Sequence, residues 1–174
     1  MSYSPPAVYV LEQLQSIMVA RLAADDMFSG NQSANGAAIP IITQDIGDVV
    51  TELQVKIGQL GLCLVVLPAL FEFTNEWVSS AGQVSLDGLG LITVNIYEDV
   101  VLNQGSTGTA IHAISAAQRV LALMHGWPTG LTDNANDPSH FMGVKRPIEL
   151  ADVGPPLQYA VLFQAHLTLI QPQP

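Results

Sequence analysis

Four histidines (His112, His125, His140 and His166), one cysteine (Cys63) and a glycine-bounded run, Gly105-Ser106-Thr107-Gly108-Thr109, are the residues whose chemistry could reach beyond packing. No two of the histidines stand four apart as in H-E-x-x-H, and a lone cysteine cannot build a zinc knuckle, so the spacing predicts no metal site. His125 falls at the end of an apolar helical pattern, where an imidazole can donate to the last carbonyls. Cys63 lies within LGLCLVVL and reads as a small buried hydrophobe. The glycine-bounded run sits between a strand and a helix start, where amides and hydroxyls could cradle an anion. It has neither the GK[ST] ending of a P-loop nor the spacing of a dinucleotide fingerprint, so the expectation is a turn with Ser106 or Thr107 as helix cap. Asp133, Asn134, Asn136 and Asp137 are rich in oxygen but lack the ligand order and central glycine of a calcium loop. Glu72 and Glu76 read as one face of a strand, solvated, or an acid and base if a cleft lies there. Lys145-Arg146 is the only adjacent basic pair, a loop surface or an intersubunit salt bridge. There is no G-x-S-x-G and no complete catalytic motif, so neither a cofactor nor an enzymatic activity is expected.

These residues must be held by the stretch 89–127. Ile92, Val94 and Ile96 alternate with Thr93, Asn95 and Tyr97, which predicts a strand covered well on one side, read as running on to residue 103. After the glycine turn, residues 109–127 predict one helix. Ala110, Ile114, Ala117, Leu121 and Met124 form one apolar stripe, and Ala113, Ala116, Val120, Leu123 and Trp127 form another. Only His112, Ser115, Gln118 and Arg119 leave a polar side. A helix so apolar is buried on two sides, by the sheet and by either the first helix or another subunit.

The length, 174 residues, suits a single domain spanning 1–174. Five Lys+Arg stand against 15 Asp+Glu, a net charge of -10, which argues against gripping phosphates with a basic face. Only 11% of residues are charged while 49% are hydrophobic, so apolar surface is expected in a subunit interface. The first ten residues carry no basic region or cleavage-like site, and no apolar run approaches a membrane span, so a soluble chain without a cleaved signal and without membrane contact is expected. The glycosylation triplet Asn31-Gln32-Ser33 is then a chance match.

Along the chain, Ser4 and Pro5 open a helix to about residue 24, with Leu11, Leu14, Met18 and Leu22 on one face. A connector at 29–38 leads to a short strand at 39–42, which Pro40 confines to a sheet margin. Asp45 or Asp48 starts a second helix with the stripe Ile46, Val49, Val50, Leu53, Ile57 and Leu60, and Gly61 suits its left-handed end. Residues 62–67 predict a strand buried on both faces, and Phe71, Phe73 and Trp77 a projecting one. Short connections make the sheet mostly antiparallel, possibly mixed, with helices packed mainly on one face: an α+β fold. Residues 128–156, dense in Pro, Gly, Asn and Asp, predict a long loop, and 157–170 a last strand.

The succession of an amphipathic first helix, DIGDVVTELQVKIGQLGLCLVVLPA as helix, glycine and strand, LITVNIYEDVVLNQG as a strand ending in Glu98 and Asn103, and AIHAISAAQRVLALMHGWP as a helix resembles the tail-terminator (tail-completion) proteins of long-tailed bacteriophages. The resemblance covers about residues 46–128 and, more loosely, the last strand. It is one of layout and a few residue types, and the 127–156 stretch departs from the usual pattern. It implies a structural virion protein of the tail and neck, assembled in the cytoplasm of a bacterial host. Such a subunit forms a homo-oligomeric ring, commonly a hexamer, that caps the tail tube and joins it to the neck or head connector. DNA passes through the channel without specific binding, its slide eased by acidic residues. The expected ring contacts are the 71–77 strand, the 128–156 loop and the back of the 109–127 helix, with Phe71, Phe73, Trp77, Val78, Trp127, His140 and Phe141 as interface residues and Trp77 as anchor. Another neck, head–tail joining or minor tail protein would share this layout; a small anion- or nucleotide-binding enzyme using 105–109 is the remaining alternative.

Overall fold

A computed structural model describes residues 10–43, 48–78, 84–131 and 141–170. In chain order the elements are α1 (Val10–Ala23), β1 (Ile41–Thr43), α2 (Val49–Leu60), β2 (Leu62–Val66), β3 (Leu70–Val78), β4 (Val84–Glu98), α3 (Val100–Asn103), α4 (Ala113–Met124), β5 (Gly143–Asp152) and β6 (Leu157–Ile170). The strands form one six-stranded sheet in the order β1-β2-β4-β6-β5. β4 is its spine. β2 pairs with the 94–98 end of one edge of β4, β3 pairs with the 84–91 end, and β6 runs along the whole opposite edge. Pro68 lies between β2 and β3, where the chain passes from one half of that edge to the other.

Among the described residues only β1 and β2 are parallel, and the helix α2 supplies the crossover that a parallel pair requires. The fold is therefore α+β with a mixed, mostly antiparallel sheet. Residues of even number in β4 point to one face: Ile92, Val94 and Ile96 are buried with Val161, Phe163, Ala165 and Leu167 of β6 beneath α1 and α4. α1 contributes Leu14, Met18 and Leu22, and α4 contributes Ala113, Ala116, Ala117, Val120 and Met124. The short alanines let α4 lie close to the sheet. The second apolar stripe of α4 is thus covered by the first helix, which the sequence offered as one of two possibilities. α2 packs on the opposite face at one end, where Ile57 meets Ile42, Cys63 and Val65, with Leu53 and Tyr97 alongside. β2 lies between these two layers, and all five of its residues are buried, as a continuous apolar run requires.

Local chemistry sets the ends of α2. The Asp48 carboxylate accepts from the Val50 and Thr51 amides, and Gly61 takes φ 74° at the far end. Glycine there has a second reason: a Cβ on Gly61 would stand 2.2 Å from the Asn103 nitrogen. Within β4, the Phe71 ring lies over Gly88, where a Cβ would come within 2.5 Å of it.

Four sequence expectations need correction. The strand read from 89 to 103 begins at Val84 and stops at Glu98, because the Asp99 side chain accepts from the Val101 and Leu102 amides and winds the next residues into α3. α4 is shorter than 109–127, since residues 109–112 are drawn into the polar cluster described below. The 128–156 stretch is not all loop: it contains β5, which is hidden from pattern reading by three register shifts and Pro147. Glu72 and Glu76 do not share a face. A register shift between Phe73 and Asn75 pairs Glu72 with Leu89 but Glu76 with Leu86, which lie on opposite sides of the sheet.

Candidate functional site: a buried carboxylate and the exposed ends of the sheet

The last residue of β4, Glu98, is 2% exposed and reaches under the start of α4. Its Oε2 accepts the Ala113 amide at 2.7 Å. Its Oε1 accepts the Asn103 side-chain amide at 2.7 Å and lies 3.2 Å from His112 Nδ1. Asn103, fully buried, also donates to the Ile111 carbonyl at 2.8 Å and accepts the Thr109 hydroxyl at 2.6 Å and the Thr109 amide at 3.2 Å. The Thr109 hydroxyl in turn accepts the Ile111 amide. Every polar atom of the Asn103 side chain is used, as burial demands. Gly108 belongs to the same knot, because a Cβ there would meet the Asn103 carbonyl at 2.1 Å.

This arrangement decides what the 105–109 run does. The amino terminus of α4, the natural seat for an anion, is filled by the chain's own Glu98 carboxylate. Neither Ser106 nor Thr107 caps the helix: the capping residue is His112, without a side-chain cap bond of its own, and Glu98 performs the task from the neighbouring strand. A second anion would meet that negative charge. The missing signal in the sequence was Glu98 itself, a charged residue on the oily face of a strand.

The remaining candidates separate widely. Cys63 is fully buried and its thiol is pushed up to about 12, by burial first and then by the nearby Glu52 carboxylate. Burial likewise raises the Tyr97 hydroxyl. His125 contributes its backbone amide to the Leu121 carbonyl as the end cap of α4. His166 is half-buried on β6, opposite Leu89. His140 and residues 133–137 lie outside the described residues. Among the described residues no three His, Cys, Asp or Glu side chains gather as a metal site, and no helix is long and apolar enough to cross a membrane.

The described interface candidates lie on separate elements. Phe71 is half-buried and packs against the main core, while Phe73 is 56% exposed on β3. The backbones of Trp77 and Val78 pair with Ser85 and Val84, so both belong to the projecting ribbon; their side chains lie outside what is described. Trp127 packs against the core with the Arg21 guanidinium 4.7 Å above its ring. It borders a groove of about 490 Å³ between α1 and α4, with Ile17, Ala20, Asp25 and Leu123. Arg21 and Arg119 tie the two helices together: Arg21 donates to the Leu123 carbonyl, and Arg119 to both oxygens of Asp25. The Arg119 hydrogen bond holds the Asp25 carboxyl below its usual range. Phe141 is half-buried and forms a bridge with Pro128.

Several exposed apolar side chains lie toward the ends of the sheet. At one end Val50, Val101, Leu102 and Val153 are 65%, 84%, 40% and 78% exposed. A groove of about 380 Å³ opens among Val50, Leu53, Ile57, Tyr97, Leu102 and Pro155. Toward the other end Phe73 stands out from β3, with Leu70 nearer mid-sheet opposite Leu91. Gly88, the partner of Phe73, lies nine residues along β4 from Tyr97, so the two ends are roughly 30 Å apart at strand spacing.

No protein-family model matches the chain, and no curated protein matches it in sequence.

Proposed function

We propose that this chain is a structural, non-catalytic subunit that works by assembling with copies of itself. More particularly, we propose a ring that terminates the tail tube of a long-tailed bacteriophage and joins it to the neck, with DNA passing through its channel. The observation that carries the reading is the placement of exposed apolar residues at two distant, unlike parts of one long sheet: a groove beside Leu102 and Tyr97, and a projecting strand bearing Phe73. Two unlike patches on one subunit suit head-to-tail contacts, which close into rings. The face of the sheet away from α1 and α4 bears Thr93, Asn95, Gln158 and Gln164, all half-buried, a polar lining suited to a channel. In an acidic chain such a lining leaves DNA free to slide.

Native mass spectrometry of the purified chain, with electron microscopy of the same sample, tests this. A discrete closed oligomer, a hexamer in the reading above, is expected, and Trp77→Ala is expected to give a folded chain without rings. A wild-type chain that stays monomeric at every concentration would overturn the ring, and retention on duplex DNA at physiological salt would overturn the sliding channel.

A further inference from the structure

We infer that Asn35 is a site of spontaneous deamidation that the fold holds back, and that the reaction, once it occurs, releases the 29–38 connector from the 105–109 turn. Among the asparagines of the chain only Asn35 precedes a glycine. A side chain on the following residue crowds attack on the asparagine Cγ, and glycine has none. Asn35 and Gly36 are both exposed, so water reaches them. Gly36 holds φ 69°, and a Cβ on it would meet nothing within 4 Å, so no neighbouring group packs over this peptide.

In the reaction the Gly36 amide nitrogen gives up its proton and bonds to the Asn35 Cγ, the Cγ–Nδ2 bond breaks, and that nitrogen leaves as ammonia. A five-membered succinimide ring results. Water then opens the ring at either carbonyl, giving aspartate or, with the main chain rerouted through the side chain, isoaspartate. The folded loop restrains both reacting groups. The Gly36 amide donates to the Ser33 carbonyl at 3.1 Å, so the nucleophile's proton is engaged. Asn35 Nδ2 donates to the Thr107 carbonyl at 2.6 Å, and Oδ1 accepts the Ala37 amide at 2.9 Å. The Cγ is thus held through both its atoms, and attack waits for the loop to open locally.

The product cannot remake what the amide held. The Asn35–Thr107 bond and the Ala34 amide's bond to the Thr109 carbonyl at 2.9 Å join the connector to the turn. An ionised carboxylate has no N–H to offer, so at position 35 it faces the Thr107 carbonyl oxygen as acceptor against acceptor. The isoaspartyl form also lengthens the main chain by a carbon between the Ala34 and Gly36 amides, which displaces the second bond. The connector then leaves the turn, and the Thr109 carbonyl meets water instead.

The test keeps the purified chain in mildly alkaline buffer, folded or in urea, and follows its peptides by mass spectrometry, with fragmentation to locate each conversion and chromatography to separate aspartate from isoaspartate. Conversion is expected at Asn35 ahead of every other asparagine, with isoaspartate present. It is expected to run on the order of tenfold faster in urea than in the folded chain, the factor that one or two hydrogen bonds of ordinary net strength supply. Asn35→Gln, which would need a six-membered ring, is expected to abolish the early conversion. In the aged, converted chain hydrogen exchange is expected to quicken at 30–38 and 105–110 while 92–98 stays as in fresh protein. Conversion first at another asparagine, or its persistence in Asn35→Gln, would overturn the site. Equal rates folded and in urea would overturn the restraint, and conversion without faster exchange would overturn the release. None of these outcomes depends on the ring reading.

Discussion

Glu98→Gln is the sharpest test of the polar cluster, because it keeps the side chain's size and removes its ability to accept on both sides. The carboxylate accepts the Ala113 amide through one oxygen and the Asn103 amide through the other. A glutamine has one oxygen and one NH2 group, so either way round its NH2 faces a donor. One buried donor then goes unsatisfied, at about 1–3 kcal/mol. Loss of negative charge beneath the first turn of α4 adds roughly 0.3–1 kcal/mol. The sum, about 1–4 kcal/mol, is well outside the roughly ±0.5 kcal/mol expected for the exposed control Glu149→Gln. Urea unfolding followed by circular dichroism, at one fixed chain concentration because assembly shifts the midpoint, measures it. A lowered midpoint with an unchanged slope is expected. A stability change no larger than the control's would refute the claim that Glu98 holds the strand, the α3 turn and α4 together.

Two further outcomes follow from the shifted groups. Asp25 has its carboxyl lowered by the Arg119 hydrogen bond, so as pH falls the unfolded chain protonates first; the stabilisation is present above the ordinary value of 3.8 and is lost as pH falls through the lowered one. Asp25→Asn is therefore expected to cost stability at neutral pH and to converge on wild type in acid, which urea midpoints across pH will show; a gap unchanged with pH would count against it. Cys63, with its thiol pushed up to about 12, is expected to resist maleimide in the folded chain and to label promptly in urea. Rapid labelling of the native chain would contradict its burial between α2 and the sheet.

Periodicity made the framework legible. The Asp48 cap and Gly61 follow from local chemistry and stand as expected, the α2 stripe holds at Ile57 but not at the exposed Val50, and the unbroken apolar run of β2 is buried on both faces. Local rules failed where a distant residue overrode them. Ser106 and Thr107 were reasonable caps for α4 by neighbourhood, but the Glu98 carboxylate arrives from fifteen residues upstream and takes the position. β5 escaped notice because its bulges break the alternation that would mark it, and a bulge in β3 likewise split Glu72 from Glu76. Apolar surface was expected from composition, and much of it was assigned to the back of α4. α1 covers most of that back, and the surplus stands at Val50, Val101 and Leu70, with Phe73 on the strand already expected to project.

The two ends of β4 are held by different means, and this bears on how the chain could assemble. Toward Glu98 the strand is clamped between α2 and α4 and tied by buried hydrogen bonds, so that end is a finished three-layer structure. Toward Val84 it is flanked by β3 and β6, and among the described residues the buried core side chains of β4 begin at Ile92. A ribbon of three strands with less cover gains less from its own packing. A neighbouring copy packed on β3 would cover the exposed Leu70 or Phe73. Assembly would then stabilise the β3 end selectively, and hydrogen exchange should slow at 70–78 on oligomer formation while 92–98, already buried, exchanges alike in both states. Equal slowing at both ends would place the contact elsewhere.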